Sequence, residues 1–208
     1  MNTRQYLRTV FALVVFGSWF FYTTGAVAEP RGIAGFSGAN GSTCTVCHPA
    51  GVNPTVSLSA VSGSTTVASG SVTSYRFTLS GGPAAGAGVD IAASNGTIID
   101  TNASGTRMAG SELVHSTPNS MSGGSITWSF NWQAPTTPGT YTIYAAGMST
   151  NGTGGTSGDS TGTTSLQVTV SQPTNQLPTA RISAPKRRAW VDARRARSLP
   201  LMPLGNPR

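Results

Sequence analysis

Between residues 55 and 171 the chain alternates apolar and polar side chains in short runs. Tyr75, Phe77 and Leu79 share one side of the run 74–79. Ile126, Trp128, Phe130 and Trp132 share one side of 126–133, and Leu166, Val168 and Val170 repeat the pattern near the end. A period of two turns one face of a strand to a core and the other to water. Weaker runs predict further strands at 56–61, 89–93, 97–99, 112–116 and 140–146. Gly81-Gly82-Pro83, Asn95-Gly96, Gly123-Gly124 and the stretch 135–139 separate them, supplying the positive φ or fixed proline φ that tight turns need. No stretch here repeats at the helical period. Seven or eight short strands punctuated in this way predict a mainly β fold, an antiparallel β-sandwich over 55–171. Tyr141, just after Pro138-Gly139, stands where a sandwich places a corner tyrosine. The polar, glycine-rich stretch 149–162 predicts a surface loop between the last two strands. Its Asp159 is a single carboxylate, whereas a calcium ion takes six or more oxygens.

The candidate chemistry lies upstream of these strands. Cys44, Cys47 and His48 spell C-x-x-C-H and include the only two cysteines of the chain. This spacing lets each thiol add across a haem vinyl group while the adjacent imidazole reaches the iron, the attachment signature of c-type haem. One covalent haem c is therefore expected, bound through Cys44 and Cys47 with His48 as proximal ligand, in a short glycine-rich attachment segment at 29–54. Two other readings of the thiols remain open: a Cys44–Cys47 disulfide, or a zinc ion held by Cys44, Cys47, His48 and His115. For the far side of the iron the candidates are His115, Met108, Met121, Met148 or an open position. His115, the only other histidine, ends a short predicted strand and is the preferred metal ligand beside His48. Its competing reading is a surface or edge-strand histidine.

The ends of the chain change the picture of its charge and location. Arg4 and Arg8 precede an apolar stretch at 10–22 and the small-x-small site Ala26-Val27-Ala28, which predicts a signal peptide over 1–28 cleaved before Glu29. The apolar stretch is shorter than the roughly 20 residues of a membrane span. A periplasmic, extracellular or cell-surface location follows. The formal net charge is +7, but two of the basic residues are in the leader and eight follow Ala180. Only Arg31, Arg76 and Arg107 stand between, against Glu29, Asp90, Asp100, Glu112 and Asp159. The high basicity belongs to the ends, so no nucleic-acid partner is expected of the sandwich. The stretch 172–208 is rich in Pro and Arg and predicts a disordered tail. Residues 175–182 are similar to the start of PKD-type domains. Residues 186–208 read either as an out-of-frame replacement of such a following domain or as a basic tail that contacts a membrane or cell surface.

Three strings together carry a resemblance to a known family. They are 38–48 with the C-x-x-C-H motif, Gly110-Ser111-Glu112-Leu113-Val114-His115-Ser116, and Ala145-Ala146-Gly147 leading to Asn151-Gly152 and Gly158-Asp159. Over about 35–170 the chain resembles the exported bacterial proteins called choice-of-anchor V. The resemblance implies a reelin- or immunoglobulin-like β-sandwich behind an N-terminal haem motif, with a histidine at the position of His115. Members usually carry a C-terminal sorting or anchoring segment, which is not read in 172–208. The chain shows no paired carboxylates, Ser-His-Asp set or phosphate-binding glycine loop, so no enzyme is expected. The reading is a single-haem electron carrier with an unidentified redox partner protein. Its rival is an extracytoplasmic β-sandwich binding or adhesion module whose cysteines form a disulfide or a vestigial haem site.

Overall fold

The computed structural model describes residues 29–48, 51–102 and 105–172. They belong to one unit, Met1–Pro173; the expected signal peptide and the tail beyond 172 lie outside the described residues. Among the described residues, every regular element after a single 3-10 turn at Cys44–Val46 is a strand. The strands are β1 (Thr55–Ala60), β2 (Thr66–Ala68), β3 (Val72–Ser80), β4 (Gly86–Ala93), β5 (Thr97–Asp100), β6 (Thr106–Ala109), β7 (Glu112–His115), β8 (Ser125–Gln133), β9 (Gly139–Thr150) and β10 (Ser160–Ser171). They form a four-stranded sheet ordered β1-β3-β8-β5 and a six-stranded sheet ordered β2-β10-β9-β4-β7-β6. The expected β-sandwich is the observed architecture. The described residues form ten strands rather than seven or eight, because 66–68 and 106–109 are too short for alternation to reveal them.

One strand pair departs from the antiparallel expectation: β2 runs parallel to β10, with Val67 opposite Val170. The stretch 149–162 is also more ordered than its composition suggests. Strands β9 and β10 pair from Gly139↔Val170 to Ser149↔Ser160, so their backbone hydrogen bonds run well into the polar stretch and leave only residues 151–159 as the connection. Polar side chains do not prevent a strand from pairing; they determine which face it can bury.

Alternation shapes the four-stranded sheet. Tyr75, Phe77 and Leu79 of β3 and Trp128, Phe130 and Trp132 of β8 are all fully buried. The register sets Tyr75 opposite Phe130 and Phe77 opposite Trp128. These rings stack at centroid distances of 5.8 Å in both pairs, an arrangement that adds to the hydrophobic gain of burial. The indoles are satisfied: Trp128 Nε1 donates to Asn119 Oδ1 at 2.9 Å and Trp132 Nε1 to the Asn95 carbonyl at 3.0 Å. On the outer face, Thr78 and Thr127 hydrogen-bond at 2.8 Å, and Ser74 donates to Asn131 at 2.7 Å. Tyr141 donates its hydroxyl to the Thr137 carbonyl at 2.9 Å, four residues back, as a corner tyrosine does.

The six-stranded sheet is built differently. Every residue of β4 except Ala93 is buried, with no alternation. A strand buried on both faces needs a cover on each, and here the inner face meets the four-stranded sheet while the outer face lies under the segment 29–48.

Candidate functional site

The covering segment reaches the sheet through its own tight geometry. Gly38 N–H donates to the Ser42 carbonyl at 2.9 Å, Ser42 N–H to Asn40 Oδ1 at 3.0 Å, and Ser37 bridges to Thr43. This small hairpin delivers the chain into the 3-10 turn, where the amides of Cys47 and His48 both donate to the Cys44 carbonyl at 3.3 and 3.0 Å. One turn of backbone therefore holds both thiols and the imidazole. Cys44 is half-buried and Cys47 exposed, and the two are free thiols here. Burial, with the Asp90 carboxyl nearby, pushes the Cys44 thiol up to about 12.

Charged side chains from the sheet hold the segment in place. Arg107 on β6 donates from Nε and Nη2 to the Arg31 carbonyl, and from Nη2 to the Gly32 carbonyl at 2.8 Å. Glu112 on β7 accepts the Gly35 N–H, and Asp90 on β4 accepts the Phe36 N–H at 2.7 Å. Asp90 is 3 % exposed. Burial, then the neighbouring Glu112 carboxyl, lifts its pKa well above the ordinary carboxylate range, against the lowering effect of the Phe36 amide. Its Oδ1 is buried without a hydrogen-bond partner.

His48 is buried, and its Nδ1 lies 2.8 Å from Asp159 Oδ2. His115 ends β7, with β4 and β6 on either side, and is 8 % exposed, so it is neither a surface nor an edge-strand histidine. Its Nδ1 faces the Val89 backbone, 3.2 Å from the amide nitrogen and 3.4 Å from the carbonyl oxygen. Burial lowers its pKa, opposed by hydrogen bonds to the Val89 and Glu29 backbones, so the ring is neutral at neutral pH. Two glycines make room for it. A Cβ on Gly88 would stand 2.7 Å from Cε1 of the ring, and one on Gly32, which also has a φ of 65°, 2.8 Å from Nδ1.

These groups meet. Cys44, Cys47, His48, His115, Asp90 and Met148 line one narrow cleft between the segment and the sheet, with an empty volume of about 570 Å³ including its open mouth. A second hollow, toward Gly152, Gly154 and Gly155, shares Glu29, His115 and Met148 with it. Of the methionines among the described residues, Met148 alone lines the cleft. Met121 is packed in the core, where it accepts the Ser149 hydroxyl at 3.4 Å, and Met108 is exposed on β6. Among the described residues no three His, Cys, Asp or Glu side chains are placed to hold a metal ion together, so Cys44, Cys47, His48 and His115 do not assemble the zinc arrangement.

No protein-family model matches the chain, and no curated protein does. Solved structures similar to it include reelin domains and a PapD-like domain of human CEP192. The Reelin-N domain of F-spondin is 17 % identical over 62 % of this chain and 96 % of that one, with a TM-score of 0.43. The human F-spondin reeler domain is 18 % identical over 60 % and 95 %, with a TM-score of 0.41. The sandwich stands on its own strand order and register.

Asp90, Glu112, Arg107 and Asp159 were not read from the sequence as parts of the site. A signal for them existed. In a domain this poor in charge, four of the five acids between Glu29 and Ala180 lie at the segment, Glu29 in the cleft wall and the others as hydrogen-bond acceptors. Only Asp100 is spent elsewhere, on Thr106 and the Asn102 amide. Scarce charge in an otherwise Ser/Thr/Gly-rich sandwich marks the places where polar groups must be held.

Proposed function

We propose that this protein is an exported single-haem c-type cytochrome-like protein. Cys44 and Cys47 would hold the haem, His48 would be its proximal ligand and His115 its second axial ligand. The observation that carries the reading is the meeting of the C-x-x-C-H turn with His115, 67 residues or more away in sequence, across one cleft. The residues fit the group on further grounds. His48 has Nδ1 engaged by Asp159, which directs Nε2 toward a metal. His115 is neutral, the state in which imidazole binds iron; ligation through Nε2 requires that Nδ1 donate to the Val89 carbonyl rather than accept from its amide. His48 and His115 would be the residues of this chain that ligate the haem iron.

When bound, the haem supplies one-electron exchange between ferric and ferrous iron. The chain's own contributions are distinct. Cys44 and Cys47 would hold the group covalently, each by net addition of its S–H across one vinyl group, which needs no oxidant. Arg107, Glu112 and Asp90 fix the segment so that the cleft keeps its shape. Transfer of an electron to or from a partner protein uses the exposed side around Cys47. The leader motif at 1–28 supports export, and the exposure around Cys47 supports a redox partner protein.

A second reading is a β-sandwich binding or adhesion module, with Cys44 and Cys47 as a disulfide or a vestigial haem site. The sandwich architecture by itself favours it, as does the narrowness of the cleft. One experiment separates the two. Protein produced with the cytochrome c maturation machinery is expected to keep a haem stain through denaturing electrophoresis and to give one pyridine haemochrome per chain, with the stain lost in Cys44→Ala/Cys47→Ala. Mature protein of haem-free mass with a Cys44–Cys47 disulfide would establish the binding-module reading instead.

A further inference from the structure

We infer that Asp159 is the positioning residue of His48: its carboxylate fixes the Nδ1–H tautomer, leaves Nε2 as the ligand atom and makes the imidazole a stronger donor. The effect on iron rests on the haem reading of the same cleft; the effect on the tautomer does not. Asp159 stands just before β10, 111 residues after His48. It is 1 % exposed, with Oδ2 at 2.8 Å from His48 Nδ1 and Oδ1 accepting the Asn151 N–H at 2.9 Å.

The connection that carries it is built to hold it still. Asn151 closes the turn on itself, donating from Nδ2 to the Ser157 carbonyl at 2.9 Å and accepting on Oδ1 from the Thr153 amide and hydroxyl at 3.1 and 2.8 Å. Gly51, across from it, leaves room where a Cβ would stand 2.6 Å from the Asp159 carbonyl oxygen. Among the described residues no Lys or Arg is a polar partner of the carboxylate. Its negative charge is therefore directed at the imidazole rather than neutralised by a cation. A carboxylate on the far nitrogen raises the basicity of a ligating histidine and stabilises the more highly charged metal. In this chain that favours ferric over ferrous iron and lowers the reduction potential.

Two measurements test it. In haem-free protein, nitrogen NMR of the His48 ring should show Nδ1 protonated and Nε2 bare, and Asp159→Ala should lose that bias. In haem-loaded protein, Asp159→Asn, which keeps the shape and removes the charge, should raise the ferrous-to-ferric ratio at a fixed ambient potential by about tenfold, or about 59 mV for one electron. Haem content should be unchanged. Asp100→Asn removes the same charge away from the cleft and should leave the potential in place. An Nε2–H tautomer in the wild-type chain, or equal potentials in Asp159→Asn and wild type, would overturn the inference. Failure of the wild type to take up haem would instead overturn the cytochrome reading, and the tautomer measurement would still decide the role of Asp159.

Discussion

The two sheets of this sandwich solve the problem of a second face in opposite ways. The four-stranded sheet buries Tyr75, Phe77, Leu79, Trp128, Phe130 and Trp132 inward and turns Thr78, Thr127, Ser74 and Asn131 to water. The six-stranded sheet buries β4 on both sides, and most buried polar side chains gather there: His48, Asp90, His115, Ser149, Asp159, Ser160 and Thr161. An ordinary sandwich sheet has a wet outer face and needs no charged anchor. A sheet that carries a non-strand segment on its outer face must satisfy that segment's backbone amides and carbonyls, and Asp90, Glu112 and Arg107 do so. The first sheet thus holds the aromatic layer, and the second holds the buried polar cluster under the covering segment.

The comparison predicts effects of different size and kind in the two sheets. The largest should come from the first. Trp128→Ala removes a fully buried indole stacked on Phe77, and a loss of about 3–5 kcal/mol is expected. Urea unfolding should show a large fall in midpoint, and an unchanged midpoint would mean that the aromatic layer is not the stabilising element.

Gly88→Ala probes the second sheet. The added Cβ would meet Cε1 of the buried His115 ring at 2.7 Å, and displacing that ring should cost about 1–3 kcal/mol. The segment above should loosen with it. Hydrogen exchange at the amides of Gly35 and Phe36 should accelerate while those of β3 and β8 stay protected. Uniform acceleration across both sheets would deny that the site is separable from the core.

The smallest effect is one of pH. The folded-state pKa of Asp90 is raised, so the native protein binds a proton that the unfolded chain, with a carboxyl near 3.9 (about the free value), has already lost. That contribution is fully present at pH below about 4 and declines as pH rises toward the raised folded value. Asp90→Asn removes the titration and can still accept the Phe36 N–H. It should gain on the order of 1 kcal/mol relative to wild type at pH 8 and show little difference at pH 4. Melting curves at the two pH values check this, and an equal difference at both would assign the effect to packing.

Much of the first sheet was legible in the sequence, because alternation is a local property. Tyr75 and Phe77, or Trp128 and Phe130, declare their common face without reference to anything distant, and the two strongest runs became β3 and β8. The C-x-x-C-H turn was equally legible, since both thiols and the imidazole come from five consecutive residues.

What no local pattern could supply was the partnership across the sheets. Local pattern does not say whether His115 stands on an edge strand; β7 lies between β4 and β6, and the ring packs against Gly88 in the cleft. Asp159 looked like one acid in a polar loop until β9 and β10 paired to Ser149↔Ser160 and brought it onto His48. The sequence by itself determined the sandwich strands, the C-x-x-C-H spacing and the scarcity of charge, because periodicity, spacing and composition are written along the chain. Only the tertiary structure decided which acids face the motif and which histidine shares its cleft, because contacts 54, 77 and 111 residues apart are fixed by strand order and register rather than by neighbours in sequence.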